Sequence, residues 1–180
     1  MSSSRDSMAR KVFEDIRDQP YRVSEFIDDQ AANCALKGKQ LLERLGSLGY
    51  AVRGRVAEMQ WENTLLPKEI VSLYPADLLA THFFIEVEED GAWRCLDPSW
   101  DRGLEIAGFP IATWDGKNCP GFTLGKVYEF EEQAKYLNLC NDSSYASEYF
   151  VKARVFLQAT NAWLEKIRRR PQAGLTAQGE

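Results

Sequence analysis

Three residues of this chain have side chains suited to covalent chemistry in concert: Cys34, His82 and Asp97. Cys34 follows an asparagine in "NCALKGKQLL", and asparagine is a helix-capping residue, so the thiol falls in the first turn of a predicted helix. Backbone N–H groups there lack partners and the helix dipole favours negative charge, which suits a thiolate. The same groups suit the oxyanion formed when a thiolate attacks a carbonyl. A nucleophilic thiol also needs a base, and the chain has one histidine, His82. His82 stands near the start of the strand-like run "THFFIEVEE", which turns at Glu89-Asp90-Gly91 into "AWRCLD". Alternation puts His82, Phe84, Glu86 and Glu88 on one face and the apolar Phe83, Ile85 and Val87 on the other. Across the hairpin Trp93, Cys95 and Asp97 share a face. Asp97 would orient the imidazole if that face is the one carrying His82, a question of register that alternation leaves open. Asp97 before Pro98 also suits the turn that closes the hairpin.

These side chains need elements to position them. A helix is predicted over Ser7–Asp18, with Met8, Val12, Phe13 and Ile16 on one side and Pro20 as its stop. The cysteine helix spans about Cys34–Leu48, with Cys34, Gly38, Leu41, Leu45 and Leu48 on its inner face and Gly49 as cap. Gly38, one turn after the thiol, would let this helix come close to the sheet. Strands are expected over Ala51–Trp61, Thr81–Glu88 and Trp93–Asp97, and near Gly125–Phe130. Glu62–Ala80 reads as a long connection or a short helix, and another short helix follows the last strand. A final helix over Tyr145–Arg170 carries Tyr149, Ala153, Phe156, Leu157, Thr160, Trp163, Leu164 and Ile167 at helical spacing, with Asp142 or Ser143 as cap. The expected fold class is α+β: an antiparallel sheet packed against the cysteine helix, with a long C-terminal helix. Residues 1–6 read as a disordered N-terminus, 7–170 as one domain and 171–180 as a disordered tail.

With 180 residues and 44% hydrophobic content, the chain can fill one core. A net charge of −5, without a basic stripe interleaved with aromatics, argues against nucleic acid and an anionic membrane surface as partners. No run approaches a membrane span and the start lacks a secretory core, so a cytoplasmic location is expected. Cys34, Cys95, Cys119 and Cys140 lie far apart with no C-x-x-C pair, and all four are expected as free thiols. Their spacing, with a single histidine, fits no usual zinc site, and neither metal nor cofactor is expected. Cys95 reads as packing, or else as a redox partner of Cys34. Trp61, Trp93, Trp100 and Trp114 read as core or rim aromatics, Glu86 and Glu88 as a solvated strand face, and Arg168–Arg170 as a helix end.

The order of motifs resembles the transglutaminase-like superfamily, within the papain-like cysteine-enzyme fold. The resemblance rests on a cysteine leading a helix that ends in Leu48-Gly49-Tyr50-Ala51-Val52-Arg53, on "HFFIEVEEDGAW", on the "LDP" of Leu96-Asp97-Pro98, and on the lead-in "VFEDIRDQPYRV". It covers roughly residues 8–101. It implies Cys34 as nucleophile, His82 as general base and acid, and Asp97 as the orienting carboxylate, with Asp101 as fallback. Ala32 and Asn33 stand where the family commonly has glycine, and Ala35 where protein-crosslinking members have tryptophan. The implied activity is therefore hydrolysis or acyl transfer at amide bonds of a peptide or small amide, rather than calcium-regulated crosslinking. Two rivals remain: an inactive module of the same fold that binds a peptide or protein partner, and a redox or metal-holding protein built on Cys34, Cys95 and His82. Oligomeric state is left open.

Overall fold

Ala9, Phe13 and Ile16 recur at helical spacing and form the buried side of α1 (Ser4–Arg17), which stops before Pro20. The computed structural model describes residues 4–130, 132–133 and 143–169. The helix thus starts at Ser4, ahead of the expected Ser7, and takes in residues 4–6. Two contacts hold this extra turn: Asp6 accepts from the Tyr50 hydroxyl at 2.6 Å, and the Arg5 guanidinium lies over the Tyr50 ring. Helix α2 (Cys34–Ser47) begins at Asn33, whose side chain accepts from Leu36 N at 2.9 Å. It ends in a Schellman turn, with Tyr50 N on Leu45 O, Gly49 N on Gly46 O and Gly49 at φ +80°.

Four strands follow, β1 (Val52–Met59), β2 (Thr81–Glu89), β3 (Ala92–Leu96) and β4 (Leu124–Val127). They form a curled antiparallel sheet in the order β3-β2-β1-β4, with an irregular step between β1 and β4. The β1–β2 connection holds a 3-10 turn (Trp61–Asn63) and the short α3 (Lys68–Val71), so β1 ends before the expected Trp61. Helix α2 covers the sheet face carrying Phe83 and Ile85. Phe83 is wedged between Gly38 and Gly54: a Cβ on Gly38 would meet the Phe83 ring at 2.5 Å. Gly38 therefore sets the close approach of helix and sheet.

The long helix α4 (Ser143–Arg168) buries Ala153, Phe156, Leu157, Thr160, Leu164 and Ile167 against Trp61, Trp100, Leu104 and Phe122. A second apolar cluster joins α1 and α2 to Ile85, Val87 and Leu96. Arg168 is no mere helix end, because its guanidinium pairs with buried Asp101 and donates to Tyr21 O. After β4, where a short helix is expected, Phe130, Glu132 and Gln133 are helical and Gln133 N donates to Glu129 O; the residues that follow, the Asp142 cap and the tail from residue 171 lie outside the described residues.

The expectation of four free thiols is overturned. Cys95 and Cys119 form a disulfide, with Cα atoms 5.9 Å apart. The register explains it: Cys95 pairs with Glu86 on the His82 face of the hairpin, and the loop through Cys119 folds back along that face. Cys34 is a free thiol, so it and Cys95 are not redox partners here.

Candidate active site

The two-residue turn at Asp90-Gly91, both at positive φ, sets Glu89 opposite Ala92, Glu86 opposite Cys95 and Ile85 opposite Leu96. Counting one further places Asp97 beside Phe84, on the face that carries His82. The side chains meet: His82 Nε2 and Asp97 Oδ2 are 2.7 Å apart, with both groups fully buried.

Asp97 accepts four hydrogen bonds. Oδ1 takes Ser99 N at 3.0 Å and Ser99 Oγ at 2.5 Å, while Oδ2 takes the His82 ring and Gly121 N at 2.8 Å. All the lone-pair positions of an ionised carboxylate are thereby filled. Burial alone would raise its pKa, but the His82 charge, the Ser99 hydroxyl and the Gly121 amide outweigh it and hold the carboxyl below the usual range. Because Asp97 only accepts, Nε2 of His82 carries a proton, and Nδ1 is left without a hydrogen-bond partner of normal geometry. Burial pushes the His82 pKa down, yet Asp97 and then Cys34 more than offset this, so the ring is held protonated above its ordinary range. Cys34 is thus close enough to act on the imidazole. The N-terminal end of α2 meets the start of β2.

The lid over this pair is aromatic. Phe122 lies 4.2 Å from the His82 ring and 4.4 Å from Trp100, centroid to centroid, and Trp100 Nε1 donates to Gly121 O. A Cβ on Gly121 would meet Trp100 at 2.9 Å, so only glycine brings this amide onto Asp97. The Cys95–Cys119 disulfide pins the same loop two residues before Gly121 to a point two residues before Asp97.

Asp101, the fallback acid, does not reach His82: it accepts from Tyr21 N and Gly103 N and pairs with Arg168. Glu86 is half-buried between Arg53 and Arg55 rather than freely solvated. Residues missed by sequence reasoning include Ser99, Gly121, Phe122 and Lys37. Ser99 had a signal, since Asp-Pro-Ser is a sequence in which an aspartate accepts from the amide two residues on. Lys37, one turn after Cys34, is fully buried and donates to Arg17 O and Ser99 O, both at 2.8 Å. It ties α2 to the end of α1 and to the loop that holds Asp97.

Cys34 is half-buried on the wall of a cavity of about 290 Å3, with Tyr21, Trp61, Tyr74 and Leu79 among its lining. No helix among the described residues is long and apolar enough to cross a membrane. No family model, curated protein or solved structure matches the chain.

Proposed function

We propose that the chain is a thiol enzyme of the transglutaminase-like superfamily, with a papain-like arrangement of a cysteine helix on an antiparallel sheet. The observation that carries this reading is the buried His82–Asp97 pair, whose free Nδ1 lies beside a thiol at a helix start. Cys34 passes its thiol proton to Nδ1 of His82, and the thiolate sulfur attacks an amide carbonyl, forming an S–C bond and a tetrahedral oxyanion. His82 gives its Nδ1 proton to the leaving amine as the C–N bond breaks, which leaves a thioester. Water or an amine then attacks the thioester, His82 takes its proton, and the thiolate departs. Of the four orphan amides at the start of α2, Asn33 N donates to Ala31 O and Leu36 N to Asn33 Oδ1. Those of Cys34 and Ala35 are left for the oxyanion. No cofactor enters these steps.

The enclosure of His82 favours a second reading, an inactive module that binds a peptide or protein partner, because a leaving amine reaches the ring only if the cavity wall or Phe122 shifts. Location is part of the proposal too: the disulfide suits an oxidising environment better than the expected cytoplasm.

A low dose of iodoacetamide at mildly acidic pH separates the two readings. The enzyme reading expects Cys34 to be alkylated at least about tenfold faster than Cys140, and His82→Ala to remove that advantage. Equal rates for the two thiols would leave only the binding module.

A further inference from the structure

The cavity beside Cys34 has an unusual composition for this chain. Charged residues make up 27% of the sequence, yet none of the described residues lining the cavity is Asp, Glu, Lys or Arg. Its walls are Tyr21, Val23, Met59, Trp61, Leu79 and Leu157, with further aromatic and small residues. An ion entering such a space would lose water without gaining an opposite charge. The volume, about 290 Å3, lies at the low end of ligand pockets and suits one bulky group rather than a long chain.

The wall also carries uncharged polar side chains, among them Ser24, Asn33 and Thr81, and two of its polar atoms have unmet hydrogen-bonding capacity. Trp61 Nε1 and Tyr74 Oη are buried and face each other, with Tyr149 also beside the Tyr74 hydroxyl, but neither atom makes a hydrogen bond of normal geometry. Trp61 is only 7% exposed, and an indole N–H can do nothing but donate. A buried donor of this kind calls for an acceptor from a ligand.

We infer that this cavity is the specificity subsite of the reaction: it takes an uncharged aromatic or branched aliphatic side chain on the amide presented to Cys34, with a neighbouring carbonyl oxygen received by Trp61 and Tyr74. The substrate class is thus a peptide-like amide with a bulky apolar residue, and acidic or basic residues are rejected. This deepens the proposed function and rests on Cys34 being its nucleophile.

The test uses N-acetylated chloromethyl ketones of phenylalanine, leucine, aspartate and lysine on the full chain, with iodoacetamide as a reference. In each case the sulfur forms a thioether, with chloride leaving from the ketones and iodide from iodoacetamide, so labelling of Cys34 is read by peptide mass. Phenylalanine and leucine probes should label at least about tenfold faster than the charged pair, relative to the reference. Trp61→Phe, which keeps an aromatic ring of smaller size and removes the N–H, should slow the phenylalanine probe severalfold. Leu79→Lys, at a partly exposed lining position, should shift preference towards the aspartate probe. A flat series, or charged probes preferred, with iodoacetamide still singling out Cys34, overturns the subsite alone. Failure of iodoacetamide to single out Cys34 overturns the nucleophile and the subsite together.

Discussion

A carboxylate whose four acceptor positions are filled by fixed donors is a rigid object, and Asp97 passes that rigidity to the ring of His82. Two consequences can be separated. Replacing Asp97 with Asn keeps the shape but turns one acceptor into a donor, which faces either the Nε2 proton of His82 or the Ser99 donors. The ring then loses its charge partner and its fixed tautomer. We expect turnover, or Cys34 labelling under the proposed chemistry, to fall by at least about a hundredfold. The His82 pKa should drop, so the acid limb of the labelling profile loses its imidazolium assistance; carbon-13 NMR of the ring at several pH values reads this directly. An unchanged histidine titration in the variant would mean that Asp97 does not govern the ring. Ser99→Ala is the milder case. It removes the 2.5 Å hydroxyl donor but keeps the amide, so about 1 kcal/mol of stability and a smaller loss of rate are expected.

At the scale of elements, the site depends on how closely a helix end approaches a strand start. Gly38→Ala puts a Cβ 2.5 Å from the Phe83 ring, and either ring or helix must move. A loss of about 1–3 kcal/mol is expected from urea unfolding, with the further outcome that Phe83→Ala in the same chain recovers part of it. Strictly additive effects would place the strain elsewhere. The loop from Cys119 to Phe122 is the second such element, since it supplies an amide to Asp97 and a ring over His82. Reducing the disulfide, or Cys119→Ser, should cost about 3 kcal/mol by the chain-entropy argument for a loop of this length. It should also lower the rate at Cys34, and activity insensitive to reductant would show that the loop holds its place unaided. Periodicity made α2, the hairpin and α4 legible in the sequence, because each must bury one stripe. The shared face of His82 and Asp97 was latent in the two-residue turn at Asp90-Gly91, from which the register can be counted. The disulfide was not legible: its partners are 24 residues apart, one of them in a loop whose path no periodicity describes.

Over the whole molecule, the site is tied together by a lysine that reads in sequence as one more polar position on a helix. Lys37 had no local signal because its acceptors are backbone carbonyls of Arg17 and Ser99, brought in from either side. Burial lowers its pKa from 10.5 to about 7, although Asp101, Asp97 and Asp18 pull it up, and Arg168 adds to the lowering. Between those values the unfolded chain binds a proton that the folded chain does not, so this lysine makes stability rise with pH. His82 acts in the opposite sense. Its raised pKa contributes stability that is full below about 6.5 and is lost as pH climbs through the folded value. From pH 7 upward the two slopes oppose each other, and the stability of the natural protein should change little up to about pH 9. Lys37→Met removes one of them. Its stability should then fall with rising pH, by up to about 1.4 kcal/mol per pH unit relative to the natural chain, in urea midpoints at pH 7, 8 and 9. Parallel slopes for the two proteins would mean that Lys37 stays charged when folded. The carbonyls of Arg17 and Ser99 would then be holding an ammonium ion rather than a neutral amine.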